Sequence, residues 1–297
     1  MLRLKDGIVE LYTKVASSIP SDVEDALKQA CASETAETGE SPKITVLSGI
    51  IENVKKAKTS KKPLCHNIGI PIFWVQIPQG LDREMISSDI VEGCRQAVSR
   101  LHNQPSDKSE PGTTLGLAEE TVDTVNPVIY FEDSDRSSLV IDLLLRNTDC
   151  QHSEGLSLLQ DSGLVAIQPN NAGGADAERY RNEIRDIILE TVKKAKKGVC
   201  SPYTIGVGLG TQEDDAALLA RKQLLRRLND SNPIIALQGL EKDVLADLKA
   251  QDDVSEPGIE TTTLGVKIGG SYSDSSALVV NVTICCWANR HGRLIWG

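Results

Sequence analysis

Aromatic residues are scarce in this chain: three Trp, five Tyr and two Phe among 297 residues. The core must therefore be built mainly from Ala, Val, Ile and Leu. Positive charge is also short, with Lys and Arg at 32 against 42 Asp and Glu, a formal net charge of −10. That balance disfavours polyanions, whose binding needs Lys and Arg to displace counterions from phosphates. No basic patch interleaved with aromatics is present, so nucleic acid is not an expected partner. Long apolar runs are missing too. The stretches 139–145 and 277–288 are interrupted by Asp142 and Asn281 and are too short to cross a bilayer. Met1-Leu2-Arg3-Leu4-Lys5-Asp6 has no signal-peptide core behind it. The expectation is a cytoplasmic protein without a membrane partner. There is no internal repeat.

What is present is ordinary globular material, 40% hydrophobic and 25% charged. The first hundred residues read as largely helical. Ser21-Asp22-Val23-Glu24 has capping-box spacing and predicts a short helix over 23–32. Ser41-Pro42 opens another, with Ile44, Leu47, Ile51 and Val54 as its apolar stripe. Residues 70–77 read as a strand and 86–101 as a helix. The segment 103–114, rich in Pro, Ser and charge, is the best loop candidate. Strands are expected at 128–131 and 139–145. From Asp176 a helical face of Tyr180, Ile184, Ile187, Ile188, Thr191 and Ala195 runs to four lysines (193, 194, 196, 197) and Gly198, which suit a helix C-terminus. A strand at 204–207, a glycine-rich turn, a helix over 213–229 and strands at 263–268 and 277–285 complete the series. The expected fold class is α/β (α+β), a helical N-terminal part followed by mixed strands and helices, as one domain over 1–297.

Several chemistries are excluded by spacing. Gly206-Val207-Gly208-Leu209-Gly210 lacks the third glycine of a dinucleotide fingerprint, since Thr211 or Glu213 stands there, and its acidic helix start would repel a pyrophosphate. No Walker A sequence, zinc-protease histidine pair or Gly-x-Ser-x-Gly elbow exists. Seven cysteines, an odd number in a reducing compartment, do not read as a disulfide framework. Cys94 falls at apolar spacing with Ile90, Val98 and Leu101 and reads as core, and Cys31 has no distinguishing context. Cys65, Cys200 and the pair Cys285-Cys286 each stand at an edge between elements. Soft thiolates so placed suit an iron–sulfur cluster or zinc, but without further context buried thiols are the favoured reading. Of the histidines, only His66 is distinguished, by the cysteine beside it.

The words around those cysteines carry more. Pro63-Leu64-Cys65-x-x-x-Gly69-Ile70, Cys200-x-Pro202-Tyr203 running into the glycine series, and Cys286-Trp287-Ala288-x-Arg290 together resemble the iron–sulfur-dependent fumarate hydratase and tartrate dehydratase family, in its α subunit or N-terminal catalytic domain. Further words agree in order: Ser21-Asp22-Val23 with Ala26-Leu27, Ile50-Ile51-Glu52-Asn53, Ala216-Ala217-Leu218-Leu219-Ala220-x-Lys222, and Val266-Lys267-Ile268. The resemblance implies a [4Fe–4S] cluster on Cys65, Cys200 and Cys286, with one iron lacking a protein ligand and acting as a Lewis acid. Cys285 is one residue out of register and on a strand would face the opposite way. The implied reaction is reversible hydration of a small dicarboxylic acid. A separate β subunit would supply the rest of the site, making a hetero-oligomer.

The sequence also departs from that pattern. Where the resemblance expects Cys-Gln-Asp-Thr-Gly, the chain has Cys65-His66-Asn67-Ile68-Gly69. Asp274 replaces a histidine twelve residues before the third cysteine. Thr121 takes the place of a substrate-binding arginine, and a glycine-rich word has become Arg146-Asn147-Thr148-Asp149-Cys150-Gln151-His152. Asp274 and His66 are candidate catalytic groups, and Asn67 is a candidate substrate contact. Two readings follow: a divergent hydro-lyase α subunit, or a cluster- or metal-binding paralogue serving as an accessory or scaffold.

Overall fold

The computed structural model describes residues 3–38, 42–65, 67–102, 126–147, 154–160, 175–195, 199–252, 263–271 and 277–297. The chain divides into two compact units: Met1–Pro20, Ile50–Thr148 and Arg290–Gly297 in the first, Ser21–Gly49 and Asp149–Asn289 in the second. Helices and strands are mixed throughout, as the α/β class requires.

The first unit holds α1 (Leu4–Ser17), most of α3 (Pro42–Ser60), β1 (Ile70–Pro78), α4 (Arg83–His102), β2 (Val128–Ser134), β3 (Leu139–Arg146) and β8 (Arg290–Trp296). Its sheet runs β2-β1-β3-β8, with β1 and β2 parallel and the other pairs antiparallel. Alternate residues Phe73, Val75 and Ile77 of β1 and Ile141, Leu143 and Leu145 of β3 meet Ile8, Val9, Tyr12 and Val15 of α1 and Ile90, Ala97 and Val98 of α4. The period-2 pattern of the strands thus buries one face under two amphipathic helices. Gly93 lets the helices meet closely, since a Cβ there would lie 2.7 Å from Ile8 Cγ2.

The second unit holds α2 (Ser21–Thr38), β4 (Glu154–Gln160), α5 (Ala175–Ala195), β5 (Tyr203–Gly210), α6 (Glu213–Gln223), α7 (Ile235–Asp252), β6 (Thr263–Gly270) and β7 (Ala277–Cys286). The sheet order is β4-β7-β5-β6, with β5 and β6 parallel. Tyr203, Ile205, Val207 and Leu209 of β5 and Leu278, Val280, Val282 and Ile284 of β7 pack under Ile184, Ile188 and Val192 of α5 and Leu237, Leu240, Val244 and Leu248 of α7. Arg181 with Asp243 and Arg185 with Asp247 bind these two helices together.

Here the structure corrects the sequence reading. The glycines expected in a turn stand inside β5, on the face opposite that core, and α6 lies directly on them. A Cβ at Gly206 would come 2.3 Å from the Ala220 carbonyl oxygen, and one at Gly208 would come 2.0 Å from that of Ala216. The glycines are there for helix–sheet contact. α6 stops at Gln223 rather than 229, α2 extends to Thr38, and β8 follows the strand expected to be last. α7 and β4 are additional elements. The expected loop at 103–114 and Lys196, Lys197 and Gly198 lie outside the described residues.

Candidate metal centre

Cys65 belongs to the first unit, on the short segment between α3 and β1, and is partly buried. Its backbone is fixed from both sides. The Leu64 N–H donates to the Ala16 carbonyl at 2.9 Å, and Asn53 Nδ2 on α3 donates to the Leu64 carbonyl at 3.2 Å. At the far end of the loop Gly69 has φ +88, and a Cβ there would lie 2.6 Å from the Arg146 carbonyl oxygen. Only glycine combines that left-handed backbone with so close an approach. Between them, the Asn67 carbonyl accepts a hydrogen bond at 2.9 Å from Nη2 of Arg290.

Arg290 is the group that sequence reasoning passed over. It is 0% exposed, and among the described residues its Nε and Nη1 have no hydrogen-bond partner. Burial is not legible in a charged residue's name. The only signal was its place four residues after Cys286.

Cys200 and Cys286 belong to the second unit. Cys286 ends β7 opposite Tyr203, the first residue of β5, in antiparallel register. Cys200 stands three residues before Tyr203, so the two sulfurs belong to the same end of one sheet. Cys200 is exposed and Cys286 buried. Cys286 shares the face of Ile284 and Tyr203, whereas Cys285, opposite Thr204, faces the α6 side. The structure thus agrees with the sequence reading that the neighbours point oppositely. Cys94 lies in the first unit's core, where burial pushes its thiol up to about 12. Cys31 lies 3.7 Å from the Ser48 hydroxyl.

His66, Asp274, Thr121, Cys150 and residues 148–152 lie outside the described residues. Among the described residues no three His, Cys, Asp or Glu side chains are gathered in a metal-binding group. Two observations fit the chain to an anionic metal–sulfur group. Its candidate donors are soft thiolates at element edges, and the loop of Cys65 is held by the buried Arg290 of β8, two of whose nitrogens have no partner among the described residues.

Other words of the resemblance have structural duties. Asp22 accepts from the Leu228 N–H at 2.7 Å. Lys267, 4% exposed, donates to Asp230 Oδ1 at 2.7 Å, and Arg226 bridges Asp230 and Glu241. Burial works against the charge of Asp230, but hydrogen bonds from Arg226 and Lys267 win and hold its carboxyl below its usual range.

Comparison with known proteins places these features in a class. The family model described as fumarate hydratase (Fumerase) matches residues 5–295, and the chain belongs to that family. Among its relatives are "Putative fumarate hydratase class I" of Geobacillus stearothermophilus, 28% identical over 98% of this chain, and "Putative L(+)-tartrate dehydratase subunit alpha" of Methanocaldococcus jannaschii, 26% identical over 97% of this chain and 96% of its own length. The "L(+)-tartrate dehydratase subunit alpha" of Escherichia coli K12 is 23% identical over 99% of this chain and 90% of its own. The chain spans only 54% of the Geobacillus protein. No helix among the described residues is long and apolar enough to cross a membrane.

Proposed function

We propose that this chain, taken whole over 1–297, is the α-type catalytic part of an iron–sulfur hydro-lyase acting on a small dicarboxylic acid of the fumarate/malate or tartrate type. The observation that carries the reading is the family match over residues 5–295. Cys65, Cys200 and Cys286 hold a [4Fe–4S] cluster. When bound, its fourth iron supplies Lewis acidity to a substrate hydroxyl and carboxylate. The chain's own residues handle protons and orientation. His66 and Asp274 exchange the proton on the carbon beside a carboxylate and protonate the departing hydroxide, so that a hydroxy acid yields an alkene acid and water. Asn67 offers its amide to the substrate. A β subunit on a separate chain supplies the remaining contacts in a cytoplasmic hetero-oligomer, in keeping with relatives named as alpha subunits.

The test is anaerobic purification with iron and sulfide analysis. Brown protein is expected, with colour lost in Cys65→Ser, Cys200→Ser and Cys286→Ser but kept in Cys31→Ser and Cys94→Ser. Colourless, zinc-loaded protein overturns the reading. Asn67, standing where the resemblance has a carboxylate, favours the accessory reading as runner-up. An intact cluster with no turnover of fumarate, malate or tartrate beside a candidate β chain would select it.

A further inference from the structure

Two arginines on β8 are treated differently. Arg293 makes a bidentate pair with Asp142 across the β3–β8 ladder, at 2.7 and 2.8 Å. Arg290, three residues earlier and 0% exposed, has among the described residues one neutral carbonyl as its hydrogen-bond partner and no carboxylate, and two of its nitrogens have no partner there. A buried guanidinium without a counter-charge is costly to keep, and folds rarely retain one without a reason. Its position supplies the reason. Arg290 pairs with Leu145 at the end of β3, and Arg146, also buried, pairs with Ile70 at the start of β1. Two buried cations therefore stand at the sheet corner where the Cys65–Gly69 loop is anchored, through Asn67 to Arg290 and through Gly69 against Arg146.

We infer that Arg290 is a positioning residue for the metal–sulfur group on the Cys65 loop. It clamps the loop through the Asn67 carbonyl and provides the buried positive charge that offsets the anionic thiolate-bound cluster. This rests on the iron–sulfur reading above. The spare donors are buried, which suits a resident group on the loop better than a substrate carboxylate that must come and go.

The experiment uses the full chain, reconstituted anaerobically with ferrous iron and sulfide, as wild type, Arg290→Met, Arg290→Gln and Arg290→Lys. Three quantities are read: release of iron to a chelator, the cluster's midpoint potential, and the melting temperature with and without cluster. Loss of a charged hydrogen-bonding partner should speed iron release about tenfold or more in the Met and Gln variants. Their midpoint potentials should fall, because removing a nearby positive charge disfavours adding an electron. Arg290→Lys should restore the potential toward wild type. Without cluster, Arg290→Met should melt at or above wild type, because an uncompensated charge has been removed; with cluster it should melt lower. A merely structural arginine would lower both melting temperatures and leave the potential alone, and that result overturns the inference. Unchanged potential and iron retention with a higher KM for the acid would make Arg290 a substrate contact instead, and also overturns it. Failure of the wild type to take up iron and sulfide sinks the iron–sulfur reading itself, and this inference with it.

Discussion

Replacing Gly208 by Ala asks how closely α6 must sit on β5. The new Cβ would stand 2.0 Å from the Ala216 carbonyl oxygen and 2.6 Å from the Ala220 amide nitrogen. Both are backbone atoms, so no side chain can swing aside. Moving the first contact from 2.0 Å to 3.4 Å requires a displacement of 1.4 Å by the helix, carrying the buried Ala216, Ala220 and Leu224 with it. Overpacking of this kind costs about 3 kcal/mol, at the upper end of ordinary core insertions because the obstruction is main chain. The compensating loss of unfolded-state entropy on going from Gly to Ala is only about 0.4–1 kcal/mol. The net cost of about 2–2.6 kcal/mol corresponds, for a cooperative unit of this size, to a fall in melting temperature of roughly 4–10 °C. Gly210→Ala is the control, since its nearest neighbours would be at 3.4 Å, and it should melt close to wild type. Differential scanning calorimetry reads both. Gly208 has no positive φ, so the penalty is steric alone. If Gly208→Ala melts within about 2 °C of Gly210→Ala, the helix is not in close contact and the account of β5 fails.

Asp230 has its folded-state carboxyl held low, so its contribution to stability is present above the ordinary aspartate range and disappears as pH falls through the lowered value. Asp230→Asn should therefore flatten the acid limb of stability against pH in urea titrations; an unaltered limb refutes the assignment. Asn53→Ala removes the bond to the Leu64 carbonyl and should cost about 1 kcal/mol. Loosening the loop should also speed labelling of Cys65 by a thiol reagent, read by peptide mass mapping. In the same mapping, Cys94 should stay unlabelled in the native protein, since a thiol near 12 leaves about one thiolate in 10⁵ at pH 7.

Much of this fold was legible because one period dominates each segment. The stripe Ile44, Leu47, Ile51 and Val54 fits the start of α3 at Pro42, and β1 and β3 begin at the residues expected. The glycine series misled because glycine ordinarily signals a turn. Its use as a flat bed for a helix depends on Ala216 and Ala220 arriving from later in the chain. β8 reads Arg290-His291-Gly292-Arg293 at its start, with no apolar alternation, and becomes a strand through pairing with β3. The division into units has no compositional mark because one boundary falls inside α3. At the candidate centre, the edge positions of the cysteines and the opposed facing of Cys285 and Cys286 could be read from sequence. That Arg290 is enclosed with no counter-charge among the described residues could not, because it depends on Asn67 and the neighbouring strands.

β8 belongs to the first unit although the whole second unit is synthesised before it. Until it is made, β3, every residue of which is buried in the finished fold, lacks one of its two neighbours. A nascent chain stalled before residue 290 would therefore display a largely apolar strand, with Asp142 not yet paired to Arg293 and its rim unpaired, the kind of edge that recruits other chains. Translation order makes the first unit wait for its last strand, and the interval before that strand arrives is its window of vulnerability to aggregation.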